Sequence, residues 1–281
     1  VHHVDQPYWF GEGGESDPEA FGRERARALE AAIDRIGEDN ICAFVAEPIQ
    51  GAGGVVIPPE SYWPEIQRIC REREILLVAD EVICGFGRTG AWWGCETYGI
   101  EPDLMPIAKG MTSGYVPMGG VMISDAVADV LMEKAGEIYH GYTYSGHPAA
   151  CAAGLANLRI LREERLVERA AEETAPHLAD GWRRLADHPL VGEARIKGLI
   201  GALELVRDKE TRARFPDEGA TGTRARDISV NEHRLVMRAV RDTLVISPPL
   251  CITKEECDML LARARATLDT LLEEKHREGA L

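Results

Sequence analysis

Apolar residues fall into two kinds of run along this chain. "ICAFVAEPI", "ILLVADEVI", "LMPIA" and "GGVMIS" are short blocks without alternation, the signature of strands buried on both faces. "PESYWPEIQRICRERE" instead spaces its apolar residues three and four apart, as a helix with one buried face does. "DPEAFGRERARALEAAIDRIG" carries its own punctuation, with Asp17 as N-cap, Pro18 at the first helical position and Gly37 as the stop. The segment through Gly14 is rich in aromatics, glycine and histidine and reads as loop. Apolar strands alternating with helices predict an α/β fold, a mostly parallel sheet sandwiched by helices.

The second half reads differently. "HPAACAAGLANLRILREERLVERAAEETAPHLADGWRRLAD" is strongly helical, and "EARIKGLIGALELV" alternates like one strand with an exposed face. "NEHRLVMRAVRDT" reads as a helix, "LVISPP" as a short strand and "TKEECDMLLARARATLDTLLEEKHREGA" as a long amphipathic helix. We therefore expect a large domain over residues 1–155 and a smaller C-terminal α+β domain over 156–281.

Charge narrows the partners. Across 281 residues the formal net charge is -15, which argues against nucleic acid and anionic membranes, since both require basic patches. No apolar run approaches the roughly 20 residues of a membrane span, and no signal-peptide pattern is present, so a cytoplasmic location is expected. The seven cysteines form no C-x-x-C pair. Several sit in apolar context ("NICAFVAE", "SPPLCIT"), which reads as reduced, buried thiols. The histidines are dispersed, so no metal site is expected. The chain begins at Val1 without methionine and reads as a fragment.

Functional side chains of such sheets gather at the carboxyl ends of strands. Glu47, Asp80 and Lys109 all fall there. An amine in an apolar pocket is a nucleophile near neutral pH and forms a Schiff base with an aldehyde. A carboxylate in the same cleft pairs with a protonated pyridine nitrogen. Together they meet the requirements of pyridoxal phosphate. From spacing alone, a buried Asp80–Lys109 ion pair explains the same residues better.

Four longer stretches change that balance. "AFVAEPIQGAGG", "LLVADEVICGFGRTG", "PDLMPIAKGMTSGY" and "GYTYSGHPAACAAGLANL", in this order and spacing, resemble the class III (subgroup II, fold type I) pyridoxal-phosphate aminotransferases. The resemblance runs from "QPYWF" to "SPPLCIT", nearly the whole chain. It implies that Lys109 is the Schiff-base lysine and then the proton shuttle, and that Asp80 pairs with the pyridine N–H. It implies that Val82 packs on the ring from the strand face it shares with Asp80. Thr143 resembles the threonine that reaches the cofactor phosphate of the other subunit, with Tyr142 beside it, so a homodimer with shared active sites is expected. Its alternative role is a cap on the helix starting near His147. Arg238 resembles the mobile arginine that pairs with the substrate carboxylate; its alternative is a solvated charge on a helix. Arg88, in "GFGRTG", reads as structural.

Two departures bear on substrate. Relatives acting on ornithine or γ-aminobutyrate often carry a glutamate after "EPIQG", where this chain has Ala52, and a glutamine where it has Ile83. The pattern is more similar to the ω-amino acid and amine:pyruvate transaminases. It implies ping-pong transfer of an amino group from an amine or ω-amino acid to a keto acid, expected to be pyruvate. The alternatives are another reaction of the same scaffold (an aminomutase, a decarboxylating transaminase or a racemase) or an inactive remnant. The family's phosphate-binding helix end and stacking aromatic lie further upstream than this sequence reaches.

Overall fold

The computed structural model describes residues 1–279 and 281. They form two compact units, one from Val1–Ile49, Pro58–Phe86 and Ala91–Arg165, the other from Gln50–Ile57, Gly87–Gly90 and Leu166–Leu281. The break follows Arg165, and two short loops of the first half, 50–57 and 87–90, belong with the second unit.

The first unit contains α1 (Trp9–Glu12), α2 (Pro18–Ile36), β1 (Ala43–Ala46), α3 (Tyr62–Glu72), β2 (Leu76–Ala79), α4 (Gly94–Tyr98), β3 (Leu104–Ile107), β4 (Gly120–Ile123), α5 (Asp125–Val130) and α6 (Pro148–Glu163). α2 starts and stops where its sequence says. Asp17 accepts the Ala20 N–H at 2.9 Å, Pro18 follows, and the chain leaves at Gly37 with φ +88°. Leu29 and Ile33 of α2 and Trp63, Ile66, Ile69 and Cys70 of α3 are buried, the i, i+3, i+4 stripes of two helices packed face to face. Trp63 is fully buried, and its indole N–H donates to Pro48 O at 3.1 Å.

The sheet order is β1-β2-β3-β4, with β1, β2 and β3 parallel and β4 antiparallel at the edge. The fold class is thus the mixed, parallel-containing α/β sheet expected. Its cover is not. Val45, Leu76 and all four residues of β4 are exposed, where uninterrupted apolar strands predict burial on both faces. Among the described residues no element packs over them. The thiols of Cys42 and Cys251 are exposed as well. Each stands in the loop flanking a strand rather than within it, which corrects the buried reading drawn from their apolar neighbours.

The second unit contains α7 (Leu166–Arg169), α8 (Ala175–Arg184), β5 (Val191–Lys197), β6 (Ile200–Leu205), α9 (Ala220–Asn231), β7 (Arg238–Val240), β8 (Thr243–Ile246) and α10 (Lys254–Glu278). Its antiparallel sheet, β5-β6-β8-β7, packs on helices around Leu178, Trp182, Leu203, Leu244 and Leu268, all fully buried. "EARIKGLIGALELV" is two strands rather than one. Gly198, at φ +58°, turns the chain between them, and a Cβ there would lie 2.3 Å from the Thr89 carbonyl carbon, so no other residue fits. "NEHRLVMRAVRDT" is not a helix. α9 ends at Asn231, and Arg238–Val240 pairs with β8. α9 itself is capped from outside its own segment, since the Asp242 carboxylate accepts the N–H groups of Gly219 and Gly222.

Candidate active site

β2 and β3 run parallel in register at Val78 and Leu104, so their carboxyl ends emerge side by side. Asp80 is the first residue past β2. Its N–H donates to Ala46 O, and the next N–H, of Glu81, donates to Pro106 O, which fixes the crossing from strand to turn. The half-buried Asp80 carboxylate accepts the Val82 N–H through Oδ1 at 3.0 Å. Among the described residues it has no other hydrogen bond and no ion pair. Val82 lies in that turn and not on the strand, because β2 stops at Ala79. It therefore reaches Asp80 through its backbone, where a shared strand face was expected.

Lys109 opens a 3-10 turn, Lys109–Met111, two residues after β3 ends. The side chain is exposed, which overturns the expectation of a desolvated amine: the turn carries it beyond the strand end. Its backbone is strained, as it is at Phe86 and at Ser113 of the same turn. At φ +43° Lys109 occupies the left-handed region, which costs a residue with a Cβ about 1–2 kcal/mol. Lys109 and Asp80 form no ion pair, and the Lys109 amine has no hydrogen-bond partner among the described residues. The ion-pair reading therefore fails. What remains is a held carboxylate with an uncommitted oxygen and an unpaired amine on a strained turn, on neighbouring strand ends. That donor set fits a group needing an aldehyde partner and a ring-nitrogen partner.

The turn is gripped from both sides. Gly110 lies so close to Phe86 that a Cβ there would stand 2.8 Å from the Phe86 Cβ. Phe86, itself at φ +59°, meets Trp93 edge to face at 4.9 Å. On the other side Asn157 of α6 donates to the carbonyls of Gly110 and Met111 at 2.8 and 3.1 Å. Beside Asp80, the fully buried Glu81 accepts the N–H groups of Gly94 and Cys95 at 2.8 and 2.6 Å. Burial pushes its carboxyl above the usual range, against those donors.

Tyr142 and Thr143 lie in an exposed turn before α6. The Tyr142 ring meets His140 edge to face at 5.5 Å, and its N–H donates to Ser145 Oγ. Thr143 does not cap α6: the N-cap is His147, followed by Pro148, with no side-chain cap bond. In the second unit, Arg238 is exposed at the start of β7, an edge strand, and Ala52 lies in the turn after Gln50. Arg88 donates to the carbonyls of Leu199 and Pro248, in keeping with a structural reading. Arg195 passed unnoticed in the sequence. It is buried in β5 and donates to Gly54 O, Val55 O, Glu193 and Glu204. No local pattern marks it or Asn157, because most of their partners are backbone carbonyls distant in sequence.

Residues 9–268 match the family model "Aminotransferase class-III", and this chain belongs to that family. It is 56% identical over 269 residues to a putrescine--pyruvate aminotransferase of Pseudomonas aeruginosa, covering 96% of this chain and 58% of that protein. A diaminobutyrate--2-oxoglutarate transaminase of Halomonas elongata is 42% identical over 290 residues, covering 100% and 61%. A crystal structure of an (S)-enantioselective ω-transaminase from Thermomicrobium roseum superposes with a TM-score of 0.90 at 44% identity, covering 96% and 60%. The chain thus spans about 60% of the length of these relatives. No helix among the described residues is long and apolar enough to cross a membrane.

Proposed function

We propose that this protein is a cytoplasmic, pyridoxal-phosphate-dependent transaminase that takes an amino group from an amine or ω-amino acid and delivers it to a keto acid, with pyruvate as acceptor. The observation that carries the reading is Lys109, strained and unpaired at the end of β3, beside the end of β2 that bears Asp80, in a chain of the class-III aminotransferase family. Pyridoxal phosphate, when bound, supplies an aldehyde for primary amines and a ring that accepts the electron pair left when the adjacent carbon loses its proton.

Lys109 would hold the aldehyde between turnovers. Once released, the Lys109 amine would take the proton from the substrate carbon and return it to the former aldehyde carbon, on the far side of the nitrogen between them. Asp80 would keep a proton on the ring nitrogen through its uncommitted oxygen, its Oδ1 being held by the Val82 N–H. Val82 would lie against the ring. Arg238 would receive the carboxylate of the keto acid, with Ala52 standing at the position from which a glutamate would compete for it. The relative at 56% identity is named for putrescine and pyruvate, which favours a donor without a carboxylate.

Thr143 and Tyr142 would reach the cofactor phosphate of a second subunit, which makes a homodimer the working unit. The exposure of Tyr139, Tyr142, Tyr144, Met132 and Ile138 supports this, since large apolar side chains clustered on a surface mark an interface. The test is the visible absorbance of the protein mixed with pyridoxal phosphate, together with alanine formation from putrescine and pyruvate. A band and a product that both vanish in Lys109→Ala are expected. A band that survives the substitution refutes the role of Lys109.

A further inference from the structure

Lys109 sits in a backbone conformation that its side chain disfavours, and such a residue stays there only when its surroundings leave it no alternative. The turn it opens closes its own hydrogen bonds weakly: Met111 N–H to Ala108 O at 3.1 Å, Thr112 N–H to Lys109 O at 3.2 Å and Ser113 N–H to Gly110 O at 3.4 Å. Asn157 supplies what these lack. Its Nδ2 donates to Gly110 O at 2.8 Å and to Met111 O at 3.1 Å, and its Oδ1 accepts Ser113 Oγ at 2.7 Å. All of the amide is used. The flipped orientation is excluded, because it would set Oδ1 against two carbonyl oxygens. One turn earlier on the same face of α6, Gly154 is buried, and a Cβ there would lie 3.2 Å from Met118 Sδ. The helix therefore rests on the segment that follows the lysine, while Phe86 closes on Gly110 from elsewhere.

We propose that Asn157 is a positioning residue for Lys109: by tying the two carbonyls after the lysine to α6, it holds the amine at the angle from which it delivers its proton. This rests on the reading of Lys109 as the cofactor lysine. The hydrogen bonds of Asn157 go to the turn, to Gly110 O, Met111 O and Ser113 Oγ, so its action on the amine is exerted through the turn. A small displacement of a proton-carrying group lowers the chemical step more than it lowers binding, so the signature is a loss in kcat with KM little changed.

The discriminating substitution is Asn157→Asp. It keeps the shape and the acceptor for Ser113, but it removes both donations and places negative oxygen against the carbonyls. In the pyridoxal-phosphate-loaded enzyme, Asn157→Asp and Asn157→Ala are expected to lower kcat by about tenfold or more with KM for the amine within about twofold. Both should also move the pH midpoint of the Lys109-dependent visible band. Ser113→Ala, which leaves both carbonyl bonds, should stay near the parent in both respects. Parental kcat and parental band midpoint in Asn157→Asp overturn the proposal. If the aspartate variant does not fold, Asn157→Ala decides by the same two readouts. Lys109→Ala separates the two levels: a band that persists there removes the reading of Lys109 itself, whereas a lysine-dependent band with an indifferent Asn157 removes only the positioning role.

Discussion

Arg195 is buried in β5 and serves several acceptors at once, among them Val55 O at 2.8 Å, Gly54 O at 2.7 and 3.3 Å, Glu204 at 2.9 Å and Glu193 at 2.5 Å. Glu204 is itself buried, and Thr243 Oγ1 is its other donor, at 2.8 Å. In Arg195→Met, Glu204 keeps a buried charge with a single neutral hydrogen bond, and two loop carbonyls lose their charged donor. Breaking a buried pair from one side costs about 3–5 kcal/mol. The double variant Arg195→Met/Glu204→Leu removes the stranded charge but not the bare carbonyls. Each of those is worth about 1 kcal/mol, so the double should remain roughly 1–3 kcal/mol below the parent and above the single. A chain of two units need not unfold in one step, so the measure is hydrogen exchange of the β5 and β6 amides under native conditions. A single variant within about 1 kcal/mol of the parent, or a double no more stable than the single, refutes the assignment of this network as the anchor of loop 50–57.

Lys109→Gly should raise local stability around β3 by about 0.5–1 kcal/mol, the relieved left-handed strain less the extra freedom of glycine when unfolded, while abolishing the visible band; faster exchange of the 109–113 amides in the cofactor-free variant would show that φ +43° is not strained. His188 is fully buried, with Nδ1 accepting the Leu190 N–H and Nε2 facing Asp269 at 3.4 Å. Burial, aided by Arg265, holds its pKa below the ordinary value. Below about pH 6.5 the unfolded chain therefore takes up a proton that the native one resists, and the second unit should lose stability as pH falls through that region but not above it. His188→Gln should flatten this slope between about pH 7 and 5, and equal slopes in the two proteins would count against it.

The sequence displays features whose cause is local. Asp17, Pro18 and Gly37 bound α2 because caps act within one turn. Asp80 and Lys109 sit at strand ends because the apolar blocks stop there. The features it conceals depend on partners far along the chain. α9 has weak helix formers (Thr, Gly, Asp, Asn) and borrows its cap from Asp242, so nothing inside 220–231 announces it. The alternation of 193–206 is equally compatible with one strand or a hairpin. Only the approach of Thr89 to Gly198 decides it, and that approach links residues 109 positions apart. The exposure of β4 escapes prediction for the same reason: apolarity reports that a face is to be covered, not where the cover lies in the chain.

The position of Lys109 shows most clearly why composition and spacing are insufficient. A lysine after an apolar run predicts a desolvated amine, but the side chain is exposed, so its distinction is conformational. Phe86 and Lys109 are both non-glycine residues in the left-handed region, on separate turns, and Gly110 is the point where the turns press together. Neither strain is explained by its own segment. Each persists because the other turn blocks relaxation on one side and, for Lys109, the Asn157 amide blocks it on the other. Positive φ at a non-glycine residue is not peculiar to this site, since Val55, Glu74 and Arg212 share it; what sets Phe86 and Lys109 apart is that two such costs, about 1–2 kcal/mol each, are carried on turns that press together. That pairing fits a fold that fixes the direction of a single amine.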